Sequence, residues 1–312
     1  MTRPGLLLLA VAGILWGGGG PAGRMLAESG GLSSFEVAAG RTLVGGALLV
    51  LAALAMRRLR LRAVLTHRGT YTTAATMAAF QGFYFAAVAT GPISVATLVT
   101  IGTAPVIVTV LEVLTGRIQL SWGVVSTRAL ALLGLALLVG IPGAGTPVSG
   151  PSVLLALAAS TSFALMTYFG AGRRITVGSP PAPAPADPPS SIAVTGVAFL
   201  LSGLALAACG LLFSGGQPTP VPTGAAFGWL LVLGVVCTAL PYACYFHGLT
   251  LESASMGSLL ALLEPVTGTL LAVLLFGETI SPVGYAGILL LLSGVALATR
   301  SRGNLDHPRS GS

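Results

Sequence analysis

The chain has 312 residues, 54% of them hydrophobic and only 7% charged. Soluble domains carry about a quarter charged residues, so this composition describes an integral membrane protein. Its net charge of +7 comes from 15 basic residues, all arginine, and the lack of lysine excludes a Walker A phosphate loop and any lysine Schiff base.

Apolar segments fall at about 6–24, 34–56, 70–90, 93–115, 122–141, 152–170, 191–213, 225–247, 254–276 and 282–299. A hydrocarbon core about 30 Å thick takes roughly 20 helical residues to cross. The pattern therefore predicts ten spans joined by short connections. The first span imitates a signal peptide, with Arg3, an apolar run and small residues after it. Nine spans follow it and the sixth matches it, so it is expected to stay. Within it, Trp16 precedes Gly17, Gly18, Gly19, Gly20 and Pro21. Each glycine weakens a helix by about 1 kcal/mol relative to alanine in water. The run either loosens the helix to line a cavity or permits close helix packing beside an anchoring Trp16.

Arg41 falls inside the second span, roughly 10 Å deep at 1.5 Å per residue. It is either a counter-charge for a substrate or for Glu264, or a structural arginine that caps backbone carbonyls or reaches outward to Glu36. The arginine-rich connection 57–68 reads as an orientation device on an anionic inner surface, not a nucleic-acid patch. Glu112, near the end of the fourth span, is expected to pair with Arg117 or another arginine of that side. Segment 142–151 is the seam between halves, the prolines of 180–189 predict a stiff extended linker, and 300–312 reads as a disordered tail. Cys209, Cys237 and Cys244 read as small apolar packing residues, and His247 as an interfacial histidine. Gln81, Tyr84, Thr97, Thr100, Tyr168, Tyr242, Tyr245 and Ser258 are hydroxyl or amide groups in the spans, and some are expected to line a wet cavity.

The ninth span, Ser258 to Glu278, carries a carboxylate, Glu264, immediately before Pro265. Glu264 would lie roughly 16 Å deep, where an ionisable group costs several kcal/mol unless paired or facing water. Pro265 lacks an N–H, so it is expected to free a carbonyl beside the acid. This stretch predicts a polar path across the membrane, with Glu264 releasing and rebinding protons.

The chain is also duplicated. At a shift of 160 residues Thr90 meets Thr250, Pro105 meets Pro265, and Gly134-Leu-Ala-Leu meets Gly294-Val-Ala-Leu. Nearer the start, Ala22-Gly23-Arg24 meets Ala171-Gly172-Arg173 at a shift of 149, and the linker at 180–189 absorbs the 160 − 149 = 11 extra residues. Five spans per copy is an odd number, so the second copy should enter the membrane inverted. With the N-terminus in the cytoplasm, Arg3, Arg57, Arg58, Arg60, Arg62, Arg68, Arg117, Arg173, Arg174, Arg300, Arg302 and Arg309 lie inside and only Arg24 outside. Both termini are then cytoplasmic and the protein multi-pass in the plasma or inner membrane.

Enzyme readings find no constellation. The only aspartates are Asp187 and Asp306, and His67, His247 and His307 are scattered, so neither an aspartate-rich magnesium motif nor a helical zinc pair is present. No metal, cofactor or nucleic-acid partner is expected.

The Trp16-Gly17 pair, the arginine of the second span, Leu263-Glu264-Pro265 and the Gly277-Glu278 ending resemble the EamA-like branch of the drug/metabolite transporter superfamily, over residues 5–300. The resemblance implies an all-α polytopic fold of ten transmembrane helices in two inverted five-helix repeats, at 5–141 and 152–299. It implies a central cavity with Trp16, Tyr84, Thr100, Pro105, Tyr168, Tyr242 and Glu264 on or near the path, and the reading of the residues adds Gly17, Arg41, Ser258 and Pro265. The chain departs from the pattern where the first copy has Gly116-Arg117 and an alanine, Ala104, before its proline. The leading expectation is a secondary transporter that exports an amino acid, similar metabolite or drug by alternating access in exchange for protons, as a monomer or homodimer among membrane lipids. Uptake of a sugar, nucleoside or similar nutrient is the alternative, and a non-transporting membrane scaffold the third.

Overall fold

A computed structural model describes residues 4–140, 149–172, 189–213 and 221–305, with side chains up to Arg300. The linker residues 180–188, the seam residues 142–148 and the tail beyond Leu305 lie outside the described residues, while the last seam residues already cap and open α8. Every regular element among those described is helical: α1 (Pro4–Trp16), α2 (Gly19–Gly30), α3 (Ser34–Ala55), α4 (Leu61–Thr66), α5 (Arg68–Thr90), α6 (Ile93–Leu114), α7 (Trp122–Val139), α8 (Gly150–Gly170), α9 (Ser191–Phe213), α10 (Ala225–Gly234), a π-helical turn (Val235–Ala239), α11 (Leu240–Leu249), α12 (Ala254–Leu260), α13 (Leu263–Phe276) and α14 (Pro282–Leu305).

Among the described residues nine helices are long and apolar enough to cross a membrane, counting α1–α2, α10–α11 and α12–α13 as one helix each. The tenth expected span, α5, is long enough at 23 residues but more polar, with threonines at 70, 72, 73, 76 and 90, Arg68 and Gln81. Some of that polarity is spent internally. Thr70 Oγ1 donates to the Val64 carbonyl at 2.7 Å, and Gln81 Nε2 donates to Thr42 Oγ1 on α3 at 2.8 Å.

Helices that the duplication seen in the sequence would make counterparts pack on each other. Helix α3 runs along α9, and α7 along α14. Both contacts are made by facing glycines: a Cβ at Gly46 would lie 2.8 Å from Leu200 N, and one at Gly196 would lie 2.8 Å from Val50 N. Gly134 and Gly287 likewise each abut backbone of the opposite helix. Without a hydrophobic force between helices in lipid, close backbone approach of this kind supplies the packing energy. Gly116 and Gly277, which end equivalent helices, share the same left-handed φ of 67°, a conformation that glycine adopts without strain.

Candidate substrate pathway

Three spans are interrupted, and the interruptions meet. In the first, the helix breaks at Gly17 and Gly18, whose N–H groups donate to the Ile14 and Leu15 carbonyls at 3.2 Å in tight turns. In the eighth, Pro241 cannot donate to the carbonyl four residues before it, and the preceding turn widens to π geometry, with Leu240 N donating to Val235 O. Thr238 Oγ1 donates to the Leu233 carbonyl at 2.8 Å within that turn. In the ninth, the helix breaks at Ala261 and Leu262, just before Glu264.

The break in the ninth span corrects one expectation. The carbonyl that Pro265 would free, that of Ala261, is not left open, because Glu264 N donates to it at 3.0 Å. The carbonyls of Leu260 and Glu264 instead lie against Gly13 and Gly17 of the first span. A Cβ at Gly17 would lie 2.5 Å from Thr267 Cβ and 2.8 Å from both Glu264 O and Gly268 N, and one at Gly18 would lie 3.1 Å from Cys237 Sγ. The glycine run is thus both a broken helix and a close crossing, and Trp16 beside it is buried in the core rather than anchored at an interface.

Around this junction stand the charged groups. Arg41 lies within electrostatic reach of Glu264, and both act on Tyr84, Tyr242 and Cys237. The pair does not close to the 4.0 Å of a salt bridge. Glu36, the other partner expected for Arg41, is committed elsewhere: Ser33 N donates to its Oε2 at 2.7 Å in a capping box that starts α3. Glu264 sits in the first turn of α13, where the helix macrodipole favours a negative charge. Its carboxylate accepts no hydrogen bond from the described residues and is only partly buried.

An aromatic wall closes the site. Trp16 is 5% exposed, with its ring 4.9 Å from Tyr242, 4.8 Å from Tyr245 and 6.1 Å from Phe163. Phe163 continues to Phe80 at 5.4 Å and Phe80 to Tyr84 at 6.5 Å. Offset and edge contacts of this kind contribute about 0.5–1.5 kcal/mol each beyond area burial. Tyr245 shares a hydrogen bond with Thr167 at 2.8 Å, and Tyr84 shares one with Thr97 at 3.1 Å. The Trp16 indole Nε1 and the Arg41 Nε are buried without any acceptor. A separate apolar cavity of about 240 Å³ lies between α3, α9 and α10, lined by Phe35, Ala39, Gly40, Leu43, Leu206 and Leu230.

Of the residues singled out in the sequence, Trp16, Gly17, Arg41, Tyr84, Tyr242, Glu264 and Pro265 come together here. The others sit apart. Thr100 Oγ1 donates to the Ala156 carbonyl at 3.2 Å, knitting α6 to α8, and the Pro105 carbonyl accepts from Thr109 Oγ1 at 2.6 Å inside an unbroken α6. Ser258 Oγ donates to Ser255 O at 3.1 Å within α12. Tyr168 lies at the far end of its helix, donating to Thr115 Oγ1 at 3.0 Å beneath the Arg117 guanidinium, 3.9 Å from the ring centre.

Glu112 also differs from its expected pairing. It is 2% exposed and accepts from Ala254 N and Ser255 N, each at 3.0 Å, so it caps the start of α12; Arg117 turns to Tyr168 instead. Cys237, read from sequence as inert packing, lies at the junction itself, and Phe163 and Phe80 complete the wall. Pro241 after Cys237 and Thr238 in an apolar run was the available signal. At the opposite end from Glu112, Arg24 pairs with Glu28 at 2.8 Å, approaches Glu278 at 3.9 Å and lies over Phe276.

The comparisons with known proteins agree with this architecture. A family model described as the EamA-like transporter family matches residues 3–140 and again 150–300. The chain is 31% identical over 291 residues to the "Uncharacterized transporter YwfM" of Bacillus subtilis, covering 93% of this chain and 91% of that one. It is 26% identical to the "Uncharacterized inner membrane transporter YicL" of Salmonella typhimurium, over 95% of both. A crystal structure with 20% sequence identity superposes with a TM-score of 0.78, covering 97% of this chain and 99% of that chain.

Proposed function

Because the chain belongs to the EamA-like transporter family, we propose that it is a secondary transporter exporting a small metabolite by alternating access, with Glu264 carrying the exchanged proton. The observation that carries this reading is the meeting of three interrupted spans around Glu264 and Arg41. Interrupted helices at membrane depth are tolerated where they line a cavity, and secondary transporters build their sites from them. In this reading α5 crosses the membrane as the tenth span. Its Thr70 donates to α4 and its Gln81 to α3 rather than facing lipid. The halves 5–141 and 152–299 are inverted copies, which the double family match and the facing α3–α9 and α7–α14 pairs support. Both termini lie in the cytoplasm, on the arginine-rich side of the plasma or inner membrane.

The proton and the substrate take turns at Glu264. When the carboxylate is ionised it holds a donor group of the substrate, and protonation from the far side releases it. Tyr84 and Tyr242 line the approach, and the Trp16 wall separates the two half-channels. Two measurements test this together. Metabolites inside and outside cells are profiled with and without the gene, and the deletion is complemented with the wild type or with Glu264→Gln. A compound that accumulates inside the deletion strain, is exported on complementation with the wild type and stays trapped with the variant is the expected result. A compound depleted inside the deletion strain would mean uptake and would sink the export reading.

A further inference from the structure

The connection between α3 and α5 holds a strained residue. Arg57 has a left-handed φ of 55°, and every other positive-φ residue among those described is a glycine. It ends α3 in a Schellman turn, in which Arg57 N donates to Leu54 O at 2.9 Å and Arg58 N to Ala53 O at 2.8 Å. A Cβ strains the backbone there and glycine does not. Strain of this kind persists where the side chain itself is put to use.

Arg57 opens a series of exposed arginines with Arg58, Arg60, Arg62 and Arg68. No acidic residue occurs between Glu36 and Glu112. Among the described residues Arg57, Arg58, Arg62 and Arg68 form no ion pair. Helix α4 is pinned within this series. Val64 is fully buried against Ala53, Ala193 and Val197. The carbonyls of Val64 and Leu65 accept from Thr70 Oγ1 at 2.7 Å and Tyr71 Oη at 2.8 Å. Held this way, α4 bares Leu61 and Leu65, which are 54% and 41% exposed. An open hollow of about 440 Å³ lies among Arg60, Leu61, Arg62, Ala63 and Thr66.

Cations without counter-charges and bared leucines, at one end of two spans, match a partner that is anionic at one end and hydrocarbon at the other. We propose that residues 57–68 bind an anionic phospholipid, with its phosphate held by Arg57, Arg58 and Arg62 and an acyl chain laid against Leu61 and Leu65. Guanidinium groups grip phosphate oxygens in a fork. Each cation near an anionic lipid surface contributes about fivefold in affinity. A nucleic acid or a free phosphate would satisfy the arginines and leave the leucines in water. This surface is separate from the transport site, so the inference goes beyond the proposed function and holds whichever substrate is carried.

The test uses the full-length purified protein in nonionic detergent micelles, reading the unfolding midpoint against the mole fraction of added lipid. Phosphatidylglycerol should raise the midpoint at a mole fraction at least about tenfold lower than phosphatidylcholine with the same acyl chains. Arg57→Gly relieves the backbone and removes the charge. It should leave the lipid-free midpoint at or above that of the wild type, yet require about fivefold more phosphatidylglycerol, with the phosphatidylcholine response unchanged. Arg62→Gln should show the same fivefold loss. Leu61→Gln combined with Leu65→Gln should weaken the response to both lipids. Arg300→Gln is the control for net charge, since Arg300 lies on α14, which runs along α7, and it should respond as the wild type does. Equal action of the two lipids, a wild-type phosphatidylglycerol response from Arg57→Gly, an equal loss in Arg300→Gln, or reversal of the lipid effect by free glycerol phosphate would overturn the lipid site.

Discussion

Replacing Gly17 with alanine tests whether the crossing of the first and ninth spans holds the site together. The added Cβ would meet Thr267 Cβ at 2.5 Å and the backbone of Glu264 and Gly268 at 2.8 Å. Non-bonded carbons rest near 3.5–4.0 Å, so the two spans must separate by about 1 Å. Two of the three obstructing atoms are backbone and cannot rotate away. Overpacking by one methyl costs about 1–3 kcal/mol. Gly20 is the internal control, since nothing lies within 4 Å of its Cβ position. Alanine there should be neutral or stabilising by about 1 kcal/mol, its helix advantage over glycine in water. The two variants should therefore differ by about 1–4 kcal/mol, read as a lower unfolding midpoint for Gly17→Ala in detergent, with transport lost in proteoliposomes. Equal midpoints for the two variants would refute the close crossing.

Other outcomes follow from the same geometry. Glu264→Gln should insert and fold normally yet lose proton-driven movement in proteoliposomes under a pH gradient, while still permitting exchange of substrate for substrate; wild-type proton-coupled flux would reject the coupling role. Glu112→Ala removes the acceptor for two amides and should cost about 3–6 kcal/mol, at about 1.5–3 kcal/mol per bond to a charged group. Glu112→Gln, keeping one oxygen, should cost about half as much, and amide exchange at 254 and 255 should accelerate in both; unchanged exchange would show that the cap is incidental. Reporters fused at Gly145 and Gly216 should be extracellular and those at Arg62 and Ser179 cytoplasmic, and a cytoplasmic Gly145 would break the inverted-copy reading.

Membrane-spanning segments were legible because apolar length is a local property, and nine of the ten expected show it plainly among the described residues. The exception, α5, spends part of its polarity, at Thr70 and Gln81, in contacts with α4 and α3 that no local window can see. Glu264, Arg41 and Trp16 stood out because a charge or a glycine run in an apolar span has no cheap explanation. What could not be read was partnership. Glu112 and Arg117 are five apart, and proximity in sequence suggested a pair. Glu112 instead found two unpaired amides 142 and 143 residues away. Pro105 and Pro265 occupy equivalent positions, yet only the second interrupts its helix. Threonines four residues on donate to both proline carbonyls, Thr109 to Pro105 and Thr269 to Pro265. The difference lies in the neighbour, because Gly13 and Gly17 bring the first span against the carbonyls of Leu260 and Glu264.

That asymmetry bears on how the site could open to one side at a time. The ninth span is fastened at its two ends to different partners. Its first half, α12, is held to α6 by the two amide bonds to buried Glu112. Its second half, α13, crosses the first span at Gly17 and reaches Arg24 of α2 at Glu278. The two fastenings are unequal in strength. Charge-assisted bonds to a buried carboxylate contribute about 1.5–3 kcal/mol each, whereas the Arg24 contacts are exposed, and pairs of that kind contribute about 1 kcal/mol or less. Between them lies the break at Ala261 and Leu262, with Glu264 three residues past its start. If one half moves against the other, the exposed Arg24 end should yield before the Glu112 end. Motion at this break necessarily carries Glu264 with it, since the carboxylate sits in the first turn of the half that would move.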